Sequence, residues 1–128
     1  MTVSYLVRYE IVPDNATSFL AHYRDAHAAI LQRLPGLRRL VLHHAIDSAD
    51  PMGVSAGSAF LLVQMDFDDE RALAAALASP ARAEAREDFR RFPGYVGAVT
   101  HQAMRAEVLF DAGAPRADTA PAKQETAT

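Results

Sequence analysis

The stretch His22–Arg39, HYRDAHAAILQRLPGLRR, decides the fold, because one short run holds a helix, its stop and the start of a strand. Placed at about 100° per residue, Phe19, Tyr23, Ala26, His27, Ile30 and Leu34 fall on one stripe. Asp25, Ala28 and Gln32 fall on the far side, with His22 and Arg24 at the margins. Pro35-Gly36 then stops the helix. His27 is the residue of interest: burying an imidazole where an aliphatic would serve must be offset by a hydrogen bond. It reads either as a satisfied cavity-lining residue or as a chemical group. His22 reads as a solvated flank residue. The two histidines stand at i, i+5, outside the i, i+4 spacing that lets a pair share a metal on an α-helical face, so no metal site is assigned.

Working outward, Val3 to Val12 alternates, with Val3, Tyr5, Val7, Tyr9 and Ile11 on one face and Ser4, Leu6, Arg8 and Glu10 on the other. Asp14 or Asn15 can cap the helix that runs on to Leu34. Leu37 to Ile46 and Ala59 to Phe67 read as further strands, separated by a loop rich in serine, proline and glycine. Asp68-Asp69-Glu70 suits the positive end of a helix dipole, and that helix pauses at Ser79-Pro80 before continuing to about Phe92. In its second half Ala81, Ala85, Phe89 and Phe92 form the apolar face, while Arg82, Glu84, Arg86, Glu87, Arg90 and Arg91 read as a solvated charged face. Pro93-Gly94 ends it, and a last strand falls within Val99 to Phe110.

The order β-α-β-β-α-β predicts an α+β, ferredoxin-like domain: a four-stranded antiparallel sheet with two helices on one face. Residues 1–110 form that domain, and 111–128 read as a disordered C-terminal tail. The strands carry apolar residues on both faces, and an apolar patch of that size normally marks an interaction surface. Two such sheets face to face give a homodimer, a dimeric α+β barrel.

Composition bounds the partners. Across 128 residues, 13 Lys+Arg are outnumbered by 16 Asp+Glu, so no basic field draws nucleic acid. Without cysteine there are no disulfides, thiolate metal sites or cysteine nucleophiles. No apolar run approaches the roughly 18 residues of a membrane span, and no signal-like segment opens the chain, so a cytoplasmic protein without membrane partners is expected. No motif calls for haem, flavin or another cofactor.

With its residues in this order the chain resembles the EthD family, named for ethyl tert-butyl ether degradation. Three segments carry the resemblance: Phe19 through His27 and on to Leu34-Pro35-Gly36-Leu37-Arg38-Arg39; Val63-Gln64-Met65-Asp66-Phe67; and Ser79-Pro80 followed by Asp88 and Phe92. The resemblance implies a ferredoxin-like dimer with a pocket into which the helix-1 histidine points. It also implies association with ether-degrading cytochrome P450 systems, and kinship with cofactor-free lactone isomerases and aromatic polyketide cyclases. His27 matches the family histidine, Tyr23 the aromatic before it, and Asp88 and Phe92 the helix-2 pair. Leu40 stands where many members carry tyrosine, and Gln64 and Asp66 stand where Glu and an aromatic are commoner, so no carboxylate partner is assigned to His27.

The catalytic candidate is thus His27, a proton carrier of near-neutral reference pKa. The ligand-binding candidates are Tyr23, Arg8, Arg39, Gln64, Asp88 and Phe92, for a small hydrophobic or aromatic molecule. Arg8, Arg39, Tyr5, Tyr9, His43 and His44 are the available donors to a developing oxyanion. Two other readings use the same residues: a non-catalytic binding protein in which His27 supplies one orienting hydrogen bond, and an accessory homodimer of a catabolic or polyketide pathway.

Overall fold

The computed structural model describes residues 1–92, 95 and 97–113. Strand β1 (Val3–Tyr9) lies at the centre. A helical rod follows: α1 (Ala16–His22), a π-helical turn (Tyr23–His27) and α2 (Ala28–Leu31). Then come β2 (Arg39–His44), β3 (Leu61–Phe67), α3 (Glu70–Leu77), α4 (Pro80–Phe89) and β4 (Val99–Arg105). The sheet has four strands in the order β2-β3-β1-β4, and every pairing is antiparallel. This is the expected ferredoxin-like arrangement, with β1 and β3 side by side although a helix and β2 separate them in sequence.

Register follows from the alternation. Tyr5 pairs with Met65 and Tyr9 with Leu61, so the apolar sets of β1 and β3 share one face. Val3, Tyr5, Tyr9, Leu61, Val63, Met65 and Phe67 are buried against Phe19, Tyr23, Leu31, Leu73 and Ala85 of the helices. Phe19, with no exposed surface, is the hub: its ring packs edge-on against Tyr9, Phe60 and Phe92.

The caps are the local signals at work. The Asn15 side chain accepts from Ser18 N, Asp69 from Ala72 N and Ser79 from Arg82 N, each satisfying an orphan amide of a first turn. Gly36 ends the first rod at φ +77°, a left-handed conformation that glycine adopts without strain. The elements stop short of several sequence expectations. The rod's regular helix ends at Leu31, not Leu34, because Arg33 N and Leu34 N turn to the carbonyls of Ile30 and Leu31 in a tightened last turn. Strand β1 ends at Tyr9 and leaves Ile11 and Val12 exposed, while β2 begins at Arg39 and stops at His44. Among the described residues no helix is long and apolar enough to cross a membrane. The expected stop at Pro93-Gly94 and most of the expected tail, residues 114–128, lie outside the described residues.

Candidate functional site

The first rod departs from α-helical spacing where His27 stands. Between Tyr23 and His27 the hydrogen bonds widen, with Ala28 N donating to the Tyr23 carbonyl, an i→i+5 closure. Single π turns of this kind are rare and recur at functional sites. The closure has the same i, i+5 spacing as His22 and His27, and both imidazoles reach the same carboxylate. His27 Nδ1 lies 2.9 Å and His22 Nε2 3.0 Å from Oδ2 of Asp88. Asp88 projects from α4 and is buried, as is His27. Its other oxygen, Oδ1, faces the exposed Arg91 guanidinium at 3.8 Å. Phe92 stands edge-to-face against both imidazoles, with centroids 4.8 Å from each.

This geometry sets the proton positions. Burial drives the Asp88 carboxyl up, but the hydrogen bonds from His27 and His22 together outweigh it and hold the group below the usual carboxylate range. As an ionised acceptor it accepts a hydrogen bond from each histidine, so His27 carries its hydrogen on Nδ1 and presents the Nε2 lone pair. Burial pulls the His27 pKa below its ordinary value, and Asp88 opposes this only in part. His27 is therefore neutral at physiological pH, the state a general base needs.

The ring lines a cavity of about 230 Å³ between the β1–β4 half of the sheet and α4. Tyr5, Tyr9, Tyr23, Leu31, Met65, Ala85 and Phe89 form most of its wall, with Arg82, Arg86, Thr100 and His101 as the other polar groups. Burial pushes the hydroxyls of Tyr9 and Tyr23 well above the usual tyrosine range, so both stay protonated and able to donate. Among the described residues no group of three or more His, Cys, Asp or Glu side chains is placed to hold a metal ion.

Of the residues singled out in the sequence, Tyr23 and His27 share the cavity, and Asp88 and Phe92 hold His27 from behind. Arg8, Arg39 and Gln64 are not brought to it. They lie on the opposite sheet face, because inward Tyr5, Val7 and Tyr9 force Arg8 outward, and the register then carries Gln64 and Arg39 with it. There Arg8 pairs with Glu10, Arg39 with Asp66, and Gln64 with His43 and Asp66. His22, expected as a solvated flank residue, is a half-buried partner of Asp88, because the π turn rotates it inward. Asp88 itself answers the missing carboxylate, from α4 and not from the third strand. Arg82, expected on a solvated face, lines the cavity, with its Nη2 3.4 Å from the Tyr5 hydroxyl.

Neither a protein-family model nor a curated protein matches the chain. Solved structures do. An ethyl tert-butyl ether degradation (EthD) family protein from Bacillus halodurans aligns at 26% identity and TM-score 0.67, over 84% of this chain and 100% of that one. SnoaB, a cofactor-independent oxygenase from Streptomyces nogalater, aligns at 19% identity and TM-score 0.60, over 86% and 98% of the two chains. The ActVA-Orf6 monooxygenase of Streptomyces coelicolor, solved with Nanaomycin D, aligns at 19% identity and TM-score 0.57, over 86% and 92%. The last two likenesses are of fold alone. The chain thus shares the whole fold of the EthD protein, and the EthD resemblance carried by the His27 helix and its Leu-Pro-Gly-Leu stop is borne out.

Proposed function

We propose that this protein binds a small aromatic or lactone molecule in the cavity beside His27 and moves a proton on it without a cofactor. The carrying observation is the pairing of His27 Nδ1 with buried Asp88 at 2.9 Å while the same ring lines the cavity. In the reaction, Nε2 takes a proton from an acidic C–H or O–H of the bound molecule. The electron pair stays on the substrate as an enolate or phenolate, and Asp88 stabilises the imidazolium that forms. Return of the proton to another atom completes an isomerisation. In a cyclisation the enolate carbon first bonds to a carbonyl carbon of the same molecule, whose π pair moves to oxygen and there takes the proton from the imidazolium. SnoaB, described as a cofactor-independent oxygenase, and the ActVA-Orf6 monooxygenase, solved with the ligand Nanaomycin D, lend support to a small-molecule pocket on this fold that can work without a cofactor.

The reading includes a cytoplasmic homodimer in a degradative pathway for ethers or for aromatic and lactone compounds, in the company of cytochrome P450 systems. Leu6, Val41, Leu62 and Met104 on the helix-free sheet face favour the dimer, since they leave apolar surface only partly covered.

Native mass spectrometry of freshly purified protein, with His27→Ala beside it, tests this function. The expected result is a dimer carrying a small molecule that the variant loses. Turnover of that molecule should collapse in the variant if His27 is the base, whereas a simple binder would lose only about 1–3 kcal/mol of affinity. An empty dimer with an unchanged variant would make His27 a structural residue.

A further inference from the structure

Helix α4 offers the cavity two arginines and no acid. Arg82 and Arg86 stand one turn apart with Ala85 between them, and all three line the cavity. Among the described residues no Asp or Glu lines it. On the same stretch of chain Arg90 pairs with Glu87, and Arg91 faces Asp88; neither Arg82 nor Arg86 has a carboxylate partner among the described residues. Arg82 is half-buried, yet among the described residues its guanidinium engages one long side-chain hydrogen bond, to Tyr5 OH at 3.4 Å. It lies over the Tyr5 ring, 5.7 Å from the centroid, and that ring stacks in turn on His101. A guanidinium carries five donors in a planar fork and is costly to leave half-buried without an anion. Around it the wall is aromatic, from Tyr9, Tyr23 and Phe89.

We propose that the cavity is selective for a small aromatic anion, a carboxylate or phenolate, whose charge is received by Arg82 in the wall and Arg86 at the mouth. The proposal rests on the pocket reading above and gives that pocket a ligand class. The volume, about 230 Å³, is below the roughly 300–1,000 Å³ of sites for drug-sized ligands, which limits the molecule to one or two rings. A carboxylate suits the fork of Arg82 through two parallel N–H···O bonds. With the anion at the arginines, the ring lies along Tyr9 and Phe89, and its far edge approaches His27. Arg82 also bears on the far end of the cavity, since its charge lowers the pKa of His27, Tyr9 and Tyr23. The same side chain is therefore placed to favour a negative charge that develops on the substrate when His27 takes its proton.

Isothermal titration calorimetry with benzoate and 2-naphthoate, each beside its neutral carboxamide, tests the ligand class. The acids should bind about tenfold or more tighter than the amides, as a charge-assisted hydrogen bond implies. The preference should shrink in Arg82→Gln, vanish in the Arg82→Gln/Arg86→Gln double variant, and survive in the control Arg90→Gln. Equal binding of acids and amides by the wild-type protein, or a preference that persists in the double variant, would overturn the anion proposal while leaving the pocket intact. No binding of either acid or either amide would overturn the pocket reading itself.

Discussion

His27 and Asp88, which stand 61 positions apart in the chain, meet through a 2.9 Å hydrogen bond between imidazole Nδ1 and carboxylate Oδ2 in a buried setting. The bond joins the first helical rod to α4 across the top of the aromatic core. It fixes the imidazole tautomer as well as its orientation. Asp88→Asn should therefore disturb both stability and proton chemistry. Both imidazoles bond the same oxygen. An amide oxygen can still accept from two N–H donors but carries no negative charge, and the loss of a charged buried acceptor costs about 1–3 kcal/mol. Urea unfolding should register that loss, and the His27 pKa should fall further as its stabilising anion disappears.

Acidification should weaken the fold in two steps. The His27 pKa in the native state lies below its ordinary 6.5. Between 6.5 and that lower native value the unfolded chain binds more protons than the folded one, so this contribution to stability is complete above pH 6.5 and lost as pH falls through the window. Asp88 is likewise held below its ordinary 3.8, and its contribution is lost as pH falls from there through the native value. Denaturant midpoints measured from pH 8 to pH 3 should fall in both ranges. His27→Gln should abolish the upper step and retain the lower one.

Phe19 carries the packing between rod, sheet and α4. Phe19→Ala removes a fully buried ring from contact with Tyr9, Phe60, Phe92 and Tyr95. The expected loss is about 3–5 kcal/mol, read as a lower thermal midpoint by circular dichroism. A shift of less than about 1 kcal/mol would mean that the core collapses easily around the gap.

The helix-free sheet face should govern association. Leu62→Glu sets a carboxylate into that face beside Arg8, its register partner in β1. Light scattering should then report a dimer for the wild-type chain and a monomer for the variant, with the far-ultraviolet spectrum unchanged. A variant that stays dimeric would move the interface elsewhere.

Local signals made the fold legible. Alternation sorts the residues of β1 and β3 into two faces, and Asn15, Asp69 and Ser79-Pro80 are caps that act within one turn. Which face turns toward the helices follows only from the packing, and it carries Arg8, Arg39 and Gln64 away from the cavity. The site was legible only in part, for three physical reasons. The π turn breaks the 3.6-residue period on which helical faces are drawn, so His22 falls outside the His27 face until the turn is widened. The carboxylate for His27 comes from a distant helix, so the family resemblance marks Asp88 as a ligand contact while its pairing with His27 emerges only when the two helices pack. Arg82 is hidden in the same alternating run, because only its place one turn before Arg86, beside buried Ala81 and Ala85, turns it toward the sheet.

The imidazole nitrogens of His27 report most directly on the proton-transfer site. Nitrogen-15 correlation spectra of the labelled protein, with His27→Gln for assignment, should show the Nδ1–H tautomer at neutral pH and a titration midpoint below 6.5. Addition of 2-naphthoate should then move the Nε2 resonance selectively. A hydrogen on Nε2 at neutral pH, or a resonance indifferent to every aromatic ligand added, would contradict the assignment of His27 as the base of a ligand-binding cavity.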